Sequence, residues 1–162
     1  ILSELDEYTK ILARLSNKRI SKYILTRLIE LPENHNTYRV LVTEANGNGT
    51  LGEILSSPIV IEPYVAFTDT FISIGAFSTK IEAESCLKYI KTKFSRVLLG
   101  ILKVTQHNSR NTWRYIPIQD FTPNSDIDWS QSIENIDQQL YKKYNLSQDE
   151  IDFIESKVRA MD

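Results

Sequence analysis

The sequence is short of the residue types that cross-link, join or anchor protein segments. Its single cysteine, Cys86, excludes an internal disulfide and fits a reducing cytoplasm better than secretion. The five glycines and five prolines form no linker-like run, which argues against disorder. No apolar run approaches the roughly eighteen residues that a membrane-spanning helix needs. Because the chain begins with Ile1 rather than with Met, we expect it to be a piece of a longer protein. The single cysteine and the lack of a long apolar run predict that this protein is cytoplasmic and not in a membrane.

Catalytic and metal-binding motifs are also missing. An adenine methyltransferase would need a glycine-rich loop for S-adenosylmethionine and an Asn/Asp-Pro-Pro-Tyr loop for the base, and neither occurs. The two histidines, His35 and His107, have no Cys or carboxylate neighbours at zinc spacing. A restriction-type nuclease would need carboxylates and a Lys on adjacent strands to hold Mg²⁺, and no such pattern falls on a credible strand. We therefore predict no catalytic residue, metal ligand or cofactor within these 162 residues.

The chain does contain a local excess of positive charge. Residues 80–114 hold eight Lys or Arg and two Glu, whereas the whole chain has a net charge of −2. Because screening confines each surface charge to roughly 10 Å, a slightly acidic domain can still present one basic face to a polyanion. An ordinary solvated helix face explains the same count equally well.

Hydrophobic periodicity predicts helices at both ends of the chain and a small sheet between them. In residues 2–31 the apolar positions recur close to helical spacing, which predicts two helices or one bent helix. The segments 38–43, 54–61, 71–74 and 113–117 are typical of short strands.

One long amphipathic helix is predicted over residues 79–103. Thr79 and Glu82 form a capping box, and an apolar stripe follows at helical spacing. Lys88, Arg96 and Lys103 fall roughly opposite that stripe, which predicts a basic face toward solvent. The apolar stripe consists of Ala83, Leu87, Ile90, Phe94, Val97, Leu98 and Ile101.

These elements predict an α+β fold, in which a small twisted mixed sheet packs on the long amphipathic helix and helices lie at both termini. We expect residues 1–31 to be a helical lead-in and residues 32–122 to be the sheet-plus-helix core. Residues 123–162 should be an acidic helical segment packed on that core, with a helix around 133–144. A capping box of Ser147 and Glu150 begins the final helix.

The polar run 103–113 carries side chains that suit base reading, although a plain hairpin loop has the same composition. Asn or Gln can pair with adenine and Arg with guanine, at roughly 1 to 3 kcal/mol of discrimination each. The Gly-spaced turn 46–50 is either a plain turn or one that contacts a ligand. The predicted phosphate contacts are Lys88, Lys91, Lys93 and Arg96. The predicted contacts from the two polar segments are Asn46, Asn48, Lys103, Thr105, Gln106, Asn108 and Arg110.

Several segments carry a resemblance to a known family. They are ANGNGTLGEILSSPIVIEP, TFISIGAF, EAESCLKYIKTKFSRVLLGILKVTQ, WRYIPIQDFT, DIDWSQSI and IDQQLYKKYNLSQDEIDFIES, with the closing Met161. Spread over residues 38–162, they resemble the C-terminal region of bacterial type II restriction-modification proteins. In those proteins an adenine-specific DNA methyltransferase domain, sometimes with a nuclease, precedes this region.

The resemblance implies that the chain is a target recognition domain, which reads a double-stranded DNA site while catalysis takes place elsewhere in the parent chain. Its expected partners are duplex DNA and the methyltransferase domain of the same parent. That parent would be an adenine DNA methyltransferase, a type II restriction endonuclease or both. S-adenosylmethionine, with Mg²⁺ as an additional candidate, would be a cofactor of the parent and not of this fragment.

Two other functions remain open from the sequence. The region could itself be a Mg²⁺-dependent nuclease that uses scattered carboxylates, among them Glu62, Asp69, Glu82 and Asp128. It could instead be a docking domain for a restriction partner, with the acidic C-terminal helices as the interface.

Overall fold

Two three-stranded sheets form the β part of the chain in the computed structural model, which describes residues 7–16, 18–45, 50–102 and 110–161. Their strand orders are β2-β1-β5 and β4-β3-β6. The strands are β1 Tyr8–Leu15, β2 Lys18–Leu25, β3 Tyr38–Thr43, β4 Ile59–Ile61, β5 Val65–Phe67 and β6 Phe71–Phe77. Two short 3₁₀ helices, Thr26–Leu28 and Glu33–Asn36, lie between β2 and β3. The predicted α+β class is confirmed, but the β part is divided between two sheets.

The first two strands form an antiparallel hairpin, so the helical lead-in predicted for residues 1–31 is wrong in its described part. Leu15 pairs with Lys18, which leaves a two-residue connection of the kind that joins tight hairpins. β-Branched residues such as Ile11 and Ile20 favour strands over helices. The near-helical apolar spacing of this segment therefore did not decide its structure. Strand β1 also pairs in parallel with β5 through Leu12 and its neighbours.

Arg39 joins the two sheets from the middle of β3. Its side chain is 0% exposed, and its Nη2 donates to the carbonyl oxygen of Val65, in β5, at 2.8 Å. The same nitrogen lies 3.3 Å from the carbonyl oxygen of His35. Strand β3 pairs antiparallel with both β4 and β6 and is buried from residue 39 to residue 43. A charged side chain thus holds the first sheet against the second.

The helices are α1 Lys80–Lys91, α2 Lys93–Leu102, α3 Arg110–Trp113, α4 Ile133–Lys143 and α5 Gln148–Lys157. Both predicted capping boxes are confirmed, at Thr79 with Glu82 and at Ser147 with Glu150. The strand predicted for 113–117 is wrong, because α3 runs into a turn in which the N–H of Ile116 donates to the carbonyl of Trp113.

The predicted long helix is broken at Thr92, whose φ of −58° and ψ of 151° are not helical. Ile90, before the break, and Phe94 and Val97, after it, still pack in one buried cluster. Ile101 is 65% exposed, although the sequence placed it on the buried stripe. Arg96 is only 2% exposed, although the sequence placed it on the solvent face.

One large apolar cluster joins β3 and β6 to the helices α1, α2, α4 and α5 and to the loop before α4. Its buried members are Val40, Val42, Ile72, Cys86, Tyr89, Ile90, Phe94, Val97, Ile127, Trp129, Ile136, Leu140, Tyr141, Ile154 and Val158. A smaller cluster of Leu12, Leu41, Ile61 and Phe71 lies between the two sheets. None of the helices in the described part of the chain combines the length and apolar character needed to cross a membrane.

Candidate nucleic-acid interface

Lys88, which the sequence predicts to contact phosphate, instead forms hydrogen bonds with the loop before α4. Its Nζ donates to the carbonyl oxygens of Trp129 at 2.8 Å, Gln131 at 2.9 Å and Ser130 at 3.3 Å. Three carbonyl acceptors satisfy the three donors of an ammonium group. The side chain would have to release this loop before it could bind a phosphate.

Arg96 is buried among backbone carbonyls and does not face solvent. Its Nε donates to the carbonyl of Lys91 at 3.0 Å, and its Nη1 donates to the carbonyl of Glu53 at 3.3 Å. Its Nη2 donates to the carbonyl of Arg159, near the C-terminal end of the described chain. Burial lowers the pKa of Arg96 to about 10, which leaves the guanidinium charged at neutral pH. This residue therefore stabilises the packing of three segments and cannot reach DNA in this conformation.

The four predicted phosphate contacts do line one groove, of about 890 Å³, between α1, α2 and the C-terminal segments. Lys91 is half-buried, and Lys93 forms an ion pair with Glu155. The groove is also lined by four acidic residues, namely Glu84, Glu134, Asp137 and Glu155. Because the acidic and basic residues are equal in number, the groove lacks the focused positive potential that attracts a polyanion.

The predicted base readers fall mostly outside the described residues. Asn46, Asn48, Lys103, Thr105, Gln106 and Asn108 all lie in the ranges 46–49 and 103–109. Arg110 is described and exposed, at the first position of α3. It lines a cavity together with Glu44 and Asp69, so its charge has acidic neighbours.

A stronger basic surface lies where the sequence predicted a helix. The hairpin β1–β2, here called the basic hairpin, carries five Lys or Arg and no acidic residue in its two strands. Lys10, Lys18, Arg19 and Lys22 are exposed, and Arg14 is half-buried. Unlike the groove, which is lined by four acidic residues, the two strands of the basic hairpin contain no Asp or Glu.

The basic hairpin also exposes aromatic side chains beside its cations. Tyr8 is 51% exposed and Tyr23 is 70% exposed, and Tyr23 is paired directly with Lys10 across the hairpin. Strand β2 lies at an edge of its sheet and contains no buried residue, so side chains on both of its faces can reach a partner. An aromatic ring next to Lys or Arg offers a stacking surface together with charge, and this combination suits nucleic acids.

Cross-strand pairing divides the hairpin into two faces, because directly paired residues project to the same side. Leu12 projects toward the second sheet, where it is buried against Leu41 and Phe71. Arg14 and Arg19, which pair directly with each other, share that side. Lys18 and Lys22 project to the opposite side.

Sequence reasoning missed this surface because the count of basic residues was taken over one long window. The signal that could have found it is the pair of runs 8–15 and 18–25, which mix Lys and Arg with β-branched and aromatic residues and are separated by Ser16 and Asn17. Two strand-like runs separated by two small polar residues indicate a hairpin. Ser16 has a φ of 48°, which tight turns require and regular helices exclude.

Carboxylates named for the nuclease alternative are separate in space or otherwise engaged. Glu62 lies 3.9 Å from the ammonium of Lys80, and Asp128 accepts hydrogen bonds from Ser130 and Gln131. Glu82 completes the capping box of α1. Within the described ranges, no three His, Cys, Asp or Glu side chains form a group that could hold a metal ion.

Comparisons of the chain with protein-family models, with curated proteins and with solved structures find no match. The arguments for its function therefore rest on the residues and contacts described above.

Proposed function

We propose that this chain binds double-stranded DNA site-specifically, as the target recognition domain of a restriction-modification adenine methyltransferase or restriction enzyme. The observation that carries the proposal is the basic hairpin, whose strands hold five cations and no acid. A two-stranded β-ribbon is one of the two shapes that the major groove of B-DNA admits. Clustered Lys and Arg on such a ribbon would release counterions from the phosphates.

Within this proposal the basic hairpin positions the module and other segments read the sequence. Contacts to phosphates fix register and orientation but carry no direct sequence information. The turn 46–50 and the run 105–113 remain the predicted base readers, since they hold the amide and guanidinium groups that pair with base edges. Arg110, exposed at the start of α3, is the described member of this set.

Catalysis belongs, in this proposal, to the methyltransferase domain of the same parent chain, which would bind S-adenosylmethionine and act in the cytoplasm. The fragment needs no cofactor of its own. The nuclease alternative gains no support from the described carboxylates, which do not converge. The protein-docking alternative predicts binding to a protein partner that persists at high salt without DNA.

The test is the salt dependence of duplex binding by the double variant Lys18→Gln/Lys22→Gln. Fluorescence anisotropy with a labelled random duplex pool, measured at several salt concentrations, gives the slope of log affinity against log salt. The slope should shrink by about 0.9 for each phosphate that the variant no longer neutralises. A matched control is Lys142→Gln/Lys157→Gln, which removes two exposed lysines from α4 and α5.

The control should retain the wild-type slope. If the hairpin variant and the control give the same slope as the wild type, the basic hairpin does not contact phosphate and the proposal fails. Enrichment of particular duplexes from the pool would identify the recognised site and support the site-specific part of the proposal.

A further inference from the structure

Arg14 and Arg19 occupy directly opposite positions on the basic hairpin. Their side chains line a cavity of about 180 Å³ together with Thr43, Ser56, Ser57 and Phe71. Arg19 Nη2 donates to the carbonyl oxygen of Ser57 at 2.5 Å. The cavity thus lies between the hairpin, the end of β3 and the loop before β4, and two guanidinium groups share it.

Two positive charges lie directly opposite each other at this position. Like charges that face each other in an antiparallel pair repel. Burial, and then the nearby charge of Arg14, lowers the pKa of Arg19 from its usual value. None of the six residues that line the cavity is acidic, so the lining presents positive charge and hydroxyl groups.

The lining has the donors that a tetrahedral oxyanion requires. Each guanidinium presents a planar set of N–H donors that can hold two phosphate oxygens at once. Thr43, Ser56 and Ser57 add hydroxyl groups, which can also donate. The buried ring of Phe71 supplies the apolar part of the lining, and the small cavity has room only for a small group.

We propose that the cavity between Arg14 and Arg19, here called the arginine pocket, binds a single phosphoryl group. A bound phosphate would replace the repulsion between the two cations by charge-assisted hydrogen bonds to both. The expected source of the phosphoryl group is a backbone phosphate of DNA, bound on the face of the hairpin that points toward the second sheet. This choice of source rests on the proposed function. Inorganic phosphate has the same chemistry and serves as the probe.

The first arm of the experiment measures binding of inorganic phosphate to the whole chain by calorimetry, at an ionic strength held constant with chloride. The variants are Arg14→Gln, Arg19→Gln and Arg19→Lys, with Lys22→Gln as the control from the opposite face of the hairpin. Loss of either guanidinium should weaken phosphate binding roughly ten- to hundred-fold, as expected for charge-assisted hydrogen bonds. Arg19→Lys keeps the charge but not the fork, so it should also bind more weakly than the wild type.

The second arm repeats the duplex-binding titration with the same variants. A smaller salt slope in Arg19→Gln, by about 0.9, would place a DNA phosphate in the arginine pocket. Weaker phosphate binding in the Arg variants with an unchanged duplex slope supports the pocket and overturns DNA as the source. Equal phosphate binding by the wild type, the Arg variants and the Lys22 control overturns the pocket. If the pocket is overturned in this way, a smaller salt slope of duplex binding in Lys18→Gln/Lys22→Gln than in the wild type would still support the proposed function.

A folding defect is detected separately. Near-UV circular dichroism and a thermal melt of each variant, without phosphate, show whether the native state is retained. Arg19→Lys is the variant to compare if either Gln variant unfolds, because it keeps the positive charge and the length of the side chain.

Discussion

Asp137 Oδ1 lies 2.8 Å from the backbone nitrogen of Phe94, so a carboxylate from α4 caps the first turn of α2. Its other oxygen accepts the N–H of Lys93 at 3.0 Å. A residue adjacent to α2 also contributes, since the hydroxyl of Thr92 accepts the N–H of Ser95 at 3.1 Å. Helix α2 therefore begins directly after a break, with its first N–H groups satisfied partly by a residue more than forty positions later.

The first prediction concerns the pH dependence that this cap creates. Burial raises the pKa of Asp137 to about 6, outweighing the two N–H donors and Arg96, which lower it. The unfolded carboxyl loses its proton near its ordinary pKa of 3.8, whereas the folded one keeps it to about 6. The folded state then binds more protons inside this window, so the free energy of unfolding should fall as pH rises through it, by about 1.4 kcal/mol per pH unit at most.

Urea unfolding from pH 4 to pH 7 of the wild type and of Asp137→Asn measures this effect. Subtracting the variant's free energy of unfolding removes the contribution of all other groups. The wild type should lose stability relative to the variant as pH rises to about 6 and then level off. A difference that stays constant from pH 4 to pH 7 would show that folding does not raise the pKa of Asp137.

The second prediction concerns Arg96, whose substitution should be strongly destabilising. Arg96→Ala leaves the carbonyls of Lys91, Glu53 and Arg159 without their donor inside the protein. A hydrogen bond to a charged group contributes about 1.5 to 3 kcal/mol, and Arg96 makes several from a buried position, so a total loss of about 3 kcal/mol or more is expected. The measurement is chemical denaturation against Lys142→Ala, an exposed cation of α4 that should change stability by no more than about 0.5 kcal/mol.

Equal losses in the two variants would mean that the carbonyls find water instead of the guanidinium. This expectation reverses the one drawn from the sequence, which placed Arg96 on a face toward solvent, where a substitution usually changes stability by no more than about 0.5 kcal/mol.

The third prediction separates two residues that the sequence placed on one apolar stripe. Phe94 is 4% exposed and stacks on Tyr144 at 4.8 Å between ring centroids, whereas Ile101 is 65% exposed. Phe94→Ala should lower the free energy of unfolding by about 3 to 5 kcal/mol. Ile101→Ala should change it by no more than about 0.5 kcal/mol. Comparable thermal shifts in the two variants would contradict the different burial of Phe94 and Ile101.

The fourth prediction compares two glycines. Gly52 has a φ of +75°, and a Cβ there would lie 2.5 Å from the carbonyl oxygen of Lys157 and 2.7 Å from Cα of Val158. Gly100 is helical, and its Cβ would meet the side-chain end of Leu51 at 2.7 Å. Gly52→Ala should therefore destabilise by at least about 1 to 2 kcal/mol. In Gly100→Ala the gain in helix propensity, about 1 kcal/mol, offsets a contact that Leu51 can relieve by rotation.

Thermal melts of the two glycine variants at equal concentration provide the measurement. A Gly52→Ala protein as stable as Gly100→Ala would show that the loop before β4 is not packed on the end of α5.

Local signals predicted several elements correctly because their partners are near in the chain. The capping boxes at Thr79 and Ser147 bring together residues three positions apart, and both are present. Strand β3 follows from its run of β-branched residues. Helix α4 is also found where its apolar spacing placed it, at Ile133–Lys143.

The surface predictions were wrong where distant backbone decides the outcome. Lys88 reaches carbonyl groups that lie 41 to 43 residues later in the chain. Arg96 reaches Glu53 and Arg159, 43 and 63 residues away. A helical wheel places a long cation on the polar face, but it cannot show that neighbouring segments will cover that face with carbonyls. The hairpin was missed for a different reason, since its two strands are adjacent in the chain but their apolar spacing is close to helical.

The attachment of the basic hairpin has a consequence for motion. Within the described residues, Leu12 is its one buried apolar side chain, and β2 is held along one side only, by β1. Strand β3, by contrast, is paired on both sides and buried along most of its length. Amide hydrogens of β2 should therefore exchange with solvent through a local opening that leaves β3 intact. Strand β2 can then separate from β1 for short periods while the rest of the domain stays folded.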